Sequence, residues 1–140
     1  MTIFSLSFLL VAPFWGLMIV APGWQGSRRI VGSPWIIAPV ALLYIVLLVP
    51  MAGDMSALLR PPELESTAAM LGTVEGATVA WAHFLAFDLF TGRWAYLDSR
   101  EKGMSPWLTG PILLLILLFG PLGLLLLLAA SGLSNRRLQF

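Results

Sequence analysis

Four long apolar segments separated by short polar connections dominate this sequence. They cover residues 3–21, 34–52, roughly 70–96 and 107–128. A hydrocarbon layer about 30 Å thick is crossed by about 20 residues of α-helix, because a helix satisfies its own backbone polar groups. The pattern therefore predicts an all-α integral membrane protein, a single domain over residues 1–140 built as a bundle of four transmembrane helices.

The composition supports this class and excludes several others. Hydrophobic residues make up 59% of the chain and charged residues only 11%, a balance untypical of a soluble domain. A net charge of +1 without a long basic run argues against a nucleic-acid partner. The absence of cysteine excludes disulfides, thiolate nucleophiles and iron–sulfur ligation. Segment 3–21 has no basic residue before it, so we expect a retained helix and not a cleaved signal peptide. We also expect no organelle presequence, and the protein is predicted to lie in a bacterial inner or photosynthetic membrane.

Proline and glycine mark the expected ends and bends of these helices. Pro22 ends the first segment, Ser33 caps the second and Ser105 precedes the fourth. Pro13 and the cluster 120–123 lie inside the first and fourth segments, where proline removes a backbone hydrogen bond, so both helices are predicted to bend.

The basic residues give an expected orientation. Four spans place five basic residues on one side and three on the other, which puts both termini outside the cytoplasm by the positive-inside rule. The larger group is Arg28, Arg29, Arg93, Arg100 and Lys102, and the smaller is Arg60, Arg136 and Arg137. An interfacial aromatic belt on the more basic side is predicted from Trp24, Trp35, Trp94 and Trp107. Residues 55–65 either lie along the interface or form an irregular connector.

The third segment is the most polar and contains the only histidine. At 100° per residue, one stripe holds His83, Phe87, Phe90 and Trp94, and a second holds Trp81, Phe84, Asp88, Thr91 and Asp98. His83 and Asp88 are about 140° apart around the helix and about 7 Å apart along it, so they are not expected to bond directly. Ionisable groups at membrane depth need a partner, a wet cavity or a function.

Each of these side chains admits alternative roles. His83 is a neutral imidazole bonded across helices, a proton donor or acceptor, or an axial ligand of a metal-centred pigment. Asp88 either locks helices together by hydrogen bonds or takes part in chemistry. Arg93 either extends its side chain to the membrane interface or contributes to the site. Residues 98–102 are interpreted as a solvated loop, and Glu75 as an interfacial side chain with Arg60 as its candidate partner. One histidine cannot build a zinc site, so no metal is predicted.

Three strings in this sequence resemble the abscisic-acid-deficient-four-like family of small membrane proteins, which is implicated in neoxanthin formation in plastids. They are residues 13–22 in the first helix, Ala80-Trp81-Ala82-His83 with Asp88, Phe90, Arg93 and Asp98 in the third, and 118–123 in the fourth. The third-helix string is the most specific, and the resemblance implies a four-helix membrane unit.

The resemblance also implies an activity, the redox-neutral rearrangement of the epoxycarotenoid violaxanthin to an allene. Such an isomerisation needs an acid and a base and requires no cofactor. The residues it nominates are His83 and Asp88 as acid and base in either order and Arg93 as a stabiliser of developing charge. It nominates a polyene-binding lining of Trp81, Phe84, Phe87, Phe90 and Trp94.

Two other functions stay open beside this enzyme. One is a non-catalytic accessory subunit of a larger, photosynthetic-type membrane complex, with bound carotenoid or (bacterio)chlorophyll. The other is a small transporter or proton pathway that uses Glu75, His83 and Asp88. The expected partners are membrane lipid, a carotenoid or another apolar pigment, and a larger membrane protein complex.

Overall fold

The described residues of the computed structural model form helices, with no β-strand among them. The description covers residues 2–51, 53, 61 and 63–137, and side-chain surroundings extend to residue 132. In chain order the α-helices are α1 (Ile3–Val20), α2 (Gln25–Gly32), α3 (Ala38–Leu48), α4 (Leu64–Leu71), α5 (Val74–Glu101) and α6 (Pro106–Arg137). Short 3₁₀ segments, Pro34–Ile37 and Val49–Met51, extend α3 at both ends. The predicted all-α class is confirmed.

Among the described residues, three stretches are long and apolar enough to cross a membrane, namely Ile3–Val20, Pro34–Met51 and Pro106–Gly132. The first two lie within a residue of the predicted segments 3–21 and 34–52. Helix α5 has 28 residues, which gives it a length of about 42 Å. It is not among the three, as expected of a helix whose apolar residues are interrupted by charged ones.

The third helix begins and ends later than the predicted segment 70–96. The Thr73 hydroxyl accepts a hydrogen bond from the Gly76 N–H at 3.0 Å, so α5 starts at Val74 and residues 64–71 form the separate helix α4. At its other end, Gly103 adopts a φ of 63°, which only glycine adopts without strain. The predicted loop at 98–102 is therefore wrong, because α5 continues through Glu101.

Helix α5 is central and contacts all of the other α-helices of the described chain. Its inward face meets a core contributed by α1, α2, α3 and α6. The largest buried side chains are Tyr96, Met18, Leu89, Leu113, Ile116 and Leu127. Gly92 allows close packing here, since a Cβ on it would overlap the ring of Trp15 in α1.

The connection after the first helix is itself ordered. Helix α2 buries Ser27 and Val31 and exposes Arg28 and Arg29. The Ser33 hydroxyl then accepts a hydrogen bond from the Trp35 N–H at 3.4 Å, which confirms the predicted cap at the start of the second span. Most of the predicted interfacial segment 55–65 lies outside the described residues.

Helix α6 folds back on itself. Phe119 leaves the helical conformation with φ −142° and ψ 42°, and Pro121 cannot donate a backbone hydrogen bond. A Cβ on Gly123 would overlap the backbone of Ile116, whereas residues seven apart in a straight helix are about 10 Å apart. The two halves of α6 therefore run side by side in opposite directions.

A contact at the far end of α6 confirms this reversal. Met104 lies just before α6 begins, and its sulfur is 3.8 Å from the hydroxyl of Ser131, near the other end of the helix. The same hydroxyl donates to Asp98 Oδ2 at 3.3 Å. The predicted bend at 120–123 is thus confirmed, but the fourth segment, 107–128, is a helical hairpin and not one extended helix. Proline and glycine at the turn relieve the steric demand of the reversal.

Candidate functional site

The predicted stripe around His83 lies on the outer surface of α5. We define the aromatic face as His83, Phe84, Phe87, Phe90 and Trp94, all of which are exposed. The His83 ring centroid lies 4.8 Å from that of Phe87, 6.2 Å from that of Phe84 and 5.5 Å from that of Tyr44 in α3. Two of the five predicted ligand-binding residues, Phe84 and Phe87, therefore lie against the histidine, and Phe90 and Trp94 are exposed further along the same helix.

Trp81, the fifth predicted ligand-binding residue, lies elsewhere. It stacks on Phe4 of α1, with ring centroids 5.1 Å apart and an interplanar angle of 22°. Its indole nitrogen is buried and has no hydrogen-bond partner in the described part of the chain. Trp81 therefore joins α1 to α5 and is separated from the aromatic face.

Asp88 is half-buried and faces the turn of α6. A Cβ on Gly120 would lie 2.7 Å from Asp88 Oδ1, so the carboxylate rests directly against the backbone of the turn. It takes part in none of the side-chain hydrogen bonds or ion pairs found among the described residues. His83 and Asp88 thus serve different surfaces of α5, in agreement with their predicted angular separation.

Arg93 is held by the end of α2. Its Nε donates to the carbonyl oxygen of Val31 at 2.8 Å, and its Nη2 donates to that of Gly32 at 2.6 Å. The last carbonyls of a helix lack partners within that helix, and a cation there also interacts favourably with the helix dipole. Arg93 therefore has a structural task, and its role in stabilising charge on a substrate stays a prediction.

Asp98 belongs to a polar link between α5 and α6. Its Oδ2 accepts from Lys102 Nζ at 2.7 Å and from the Ser131 hydroxyl at 3.3 Å. This places Asp98 about 15 Å along the helix from Asp88. The third-helix string consequently divides into an aromatic face, a carboxylate at the α6 turn and two residues that hold neighbouring elements.

A cavity of about 860 Å³ lies at the opposite end of α5. Its walls come from the start of α1, the end of α3 and the start of α5, and Glu75 is the ionisable side chain among its lining residues. The size is in the range of small-molecule sites. The sequence did not indicate this cavity, because helix ends that are distant along the chain form it and leave no local pattern.

No group of three or more His, Asp or Glu side chains among the described residues is arranged to hold a metal ion. The described residues instead provide the aromatic face, which suits an apolar ligand, and the Asp88 carboxylate next to the turn of α6. Both lie on the helix that carries the most specific part of the sequence.

Comparison with known proteins identifies the family. A family model described as ABA DEFICIENT 4-like matches residues 2–127. The chain belongs to the ABA4-like family. The match includes both the aromatic face and the α6 turn, and it confirms the resemblance found in the sequence.

One relative is the Protein ABA DEFICIENT 4, chloroplastic, of Arabidopsis thaliana. It is 30% identical to this ABA4-like chain over 129 residues, which cover 88% of this chain and 57% of the relative. The chain thus spans just over half the length of that relative. No solved structure matches the chain significantly.

Proposed function

We propose that this ABA4-like chain is a multi-pass membrane protein of carotenoid metabolism that binds a carotenoid along the aromatic face of α5. The observation that carries the proposal is the continuous exposure of that face. Four large aromatic side chains there are each at least 40% exposed, namely Phe84, Phe87, Phe90 and Trp94. The face runs for about 17 Å from His83 to Trp94.

A polyene suits this surface for physical reasons. It is rigid and apolar, and its flat π-system can lie against aromatic rings at the separations seen around His83. A carotenoid dissolved in the bilayer would reach an outward face by lateral diffusion, without an opening to water. Two stretches of membrane-spanning length and composition, Ile3–Val20 and Pro34–Met51, together with the strongly apolar hairpin of α6, support the membrane setting, which we propose is a bacterial inner or photosynthetic membrane.

The rearrangement implied by the family resemblance is balanced without an oxidant or reductant. The epoxide C–O bond breaks as its oxygen gains a proton, and a proton leaves the polyene as the allene forms. We assign these proton transfers to Asp88 and His83, in either order. Since the two lie on different surfaces of α5, the epoxide end group of the ligand would lie at the helix edge between them while the rigid polyene follows the aromatic face, and no further cofactor is required.

Product analysis tests the catalytic part of this proposal. Purified protein in detergent is given violaxanthin, and the pigments are separated by chromatography. We expect conversion by the unaltered chain and a loss of about 100-fold or more in Asp88→Asn and in His83→Gln, because each removes a proton-transfer group. Leu125→Ala, at an exposed position of α6, is the control that keeps full conversion. An unchanged chromatogram with the unaltered chain would contradict the proposal that the protein is an enzyme.

A second function is favoured by the same exposed face. An accessory or pigment-binding subunit would use it against a carotenoid, a (bacterio)chlorophyll or a larger membrane complex, with no reaction. Gentle purification from the native membrane separates the two. A pigment or protein that co-purifies in fixed stoichiometry, together with an unchanged pigment in the conversion assay, would favour the subunit over the enzyme.

A further inference from the structure

The fold-back of α6 changes which end of the molecule its C-terminal half occupies. Ser131 lies beside Met104 and Asp98. The C-terminal half of α6 therefore returns to the C-terminal end of α5, which is also where α6 begins. The α2 segment lies at that end too, because Tyr96 donates its hydroxyl to the Pro22 carbonyl at 2.8 Å. The helical hairpin therefore starts and finishes at one end of the molecule.

Charge follows the same division. The segments that meet at this end contain Arg28, Arg29, Arg100 and Lys102, and the sequence after Ser131 adds Arg136 and Arg137. The segment between α3 and α4 contains a single basic residue, Arg60. Cytoplasmic loops carry an excess of Lys and Arg. Moving Arg136 and Arg137 to this end changes the predicted division of the basic residues from five against three to seven against one.

We propose that residues 106–132 form a re-entrant hairpin. In this arrangement the hairpin enters and leaves the membrane on the basic, cytoplasmic side, and its turn forms with Asp88 a polar site at mid-membrane that binds a hydroxyl donor. Asp88 lies about 21 Å from the start of α5 and about 20 Å from its end, so the turn that touches it is at mid-depth. Non-helical backbone occurs at such depth only where it is covered by protein or lines a wet cavity.

The chemistry of the turn determines the ligand class. Pro121 has no N–H, so the Leu117 carbonyl lacks its usual helical donor, and the Asp88 carboxylate, which rests against Gly120 of the same turn, is also an acceptor. Two acceptors call for a donor, which is water or the hydroxyl end of an otherwise apolar molecule. The second choice rests on the proposed function, for which this site would hold the polar end of the carotenoid.

Gly120 and Gly123 make the arrangement sterically feasible. A Cβ on Gly120 would press on Asp88 Oδ1, and a Cβ on Gly123 would overlap the Ile116 backbone. Gly123 therefore brings the two halves of the hairpin together, and Gly120 brings the turn up to the carboxylate. Gly120 is a positioning residue of the site.

Cysteine labelling tests the topology in a chain without native cysteine. Single cysteines replace Ser105 and Val74, and a third is appended after Phe140. Sealed vesicles of known orientation are treated with a membrane-impermeant maleimide. We expect the appended cysteine and Ser105→Cys to be labelled from one side, and Val74→Cys from the other. Labelling of the appended cysteine from the Val74 side would overturn the hairpin.

A matched pair of variants tests the site itself. Asp88→Cys and Phe87→Cys are neighbours, but the first faces the turn and the second lies in the aromatic face. A charged methanethiosulfonate reacts with thiolate in contact with water, so we expect labelling about tenfold faster at residue 88, from the Ser105 side. Equal rates, or reaction from the Val74 side, would overturn the site.

Added pigment separates the two donors. This experiment keeps the Asp88 carboxylate and places the cysteine at Thr91, one helical turn away in the same stripe. Slower labelling of Thr91→Cys with a hydroxylated carotenoid, but not with a hydrocarbon carotene, would assign the donor to the ligand, and unchanged labelling would assign it to water. Either result retains the site. Because topology and basal labelling need no carotenoid, the hairpin and the proposed function can fail independently.

Discussion

At the scale of single residues, Arg93 shows how one side chain can hold the end of a short helix. Helix α2 has only eight residues, too few to be stable alone, and the guanidinium satisfies two of its last carbonyls. The partners are 62 and 61 positions away in the chain. Sequence spacing could therefore not reveal them, although it correctly separated His83 from Asp88 on the same helix.

Arg93→Gln is predicted to lower the free energy of unfolding by about 1–3 kcal/mol, because charge-assisted hydrogen bonds to partly buried carbonyls are lost. Thermal unfolding in detergent, followed by circular dichroism, measures the effect as a lower midpoint. Arg29→Gln is the matched control, since that side chain is exposed and its replacement should be nearly neutral. Equal midpoints for both variants would contradict the assigned role of Arg93.

At the scale of elements, the helices were predictable and their packing was not. Apolar runs of about 20 residues locate α1 and the stretch Pro34–Met51, which contains α3, within a residue, because hydrophobicity is a local property. Pro121 and its neighbouring glycines predicted a bend in α6. Its full reversal depends on contacts of Gly123 with Ile116 and of Ser131 with Met104, which only the folded chain brings together.

Gly123→Ala is predicted to destabilise the hairpin by about 1–3 kcal/mol, because the added methyl overlaps the Ile116 backbone. Gly110→Ala in the same helix is the control. No atom lies within 4 Å of a Cβ there, and alanine favours helix over glycine, so its stability should stay equal or rise slightly. The comparison again uses unfolding midpoints, and a Gly123→Ala midpoint at or above that of Gly110→Ala would refute the close approach.

At the scale of the whole molecule, α5 combines two tasks. Its inner face organises the helices around a buried core, and its outer face leaves aromatic rings exposed where a soluble protein would carry polar residues. Hydropathy alone gave four spans and an orientation based on an even number of crossings. That count depends on whether α6 is straight, which composition does not encode.

The central claim, that the aromatic face binds a carotenoid, is tested most directly by measuring how much pigment remains with the protein. Carotenoid is mixed with purified chain in detergent, and protein-bound pigment is quantified by its visible absorbance after gel filtration over a range of concentrations. The double variant Phe84→Ala/Phe87→Ala is predicted to bind about tenfold more weakly than the unaltered chain, because two ring contacts are lost. Leu42→Ala, exposed on α3, should bind normally. No retained pigment with the unaltered chain, or equal affinity in the double variant, would contradict the claim.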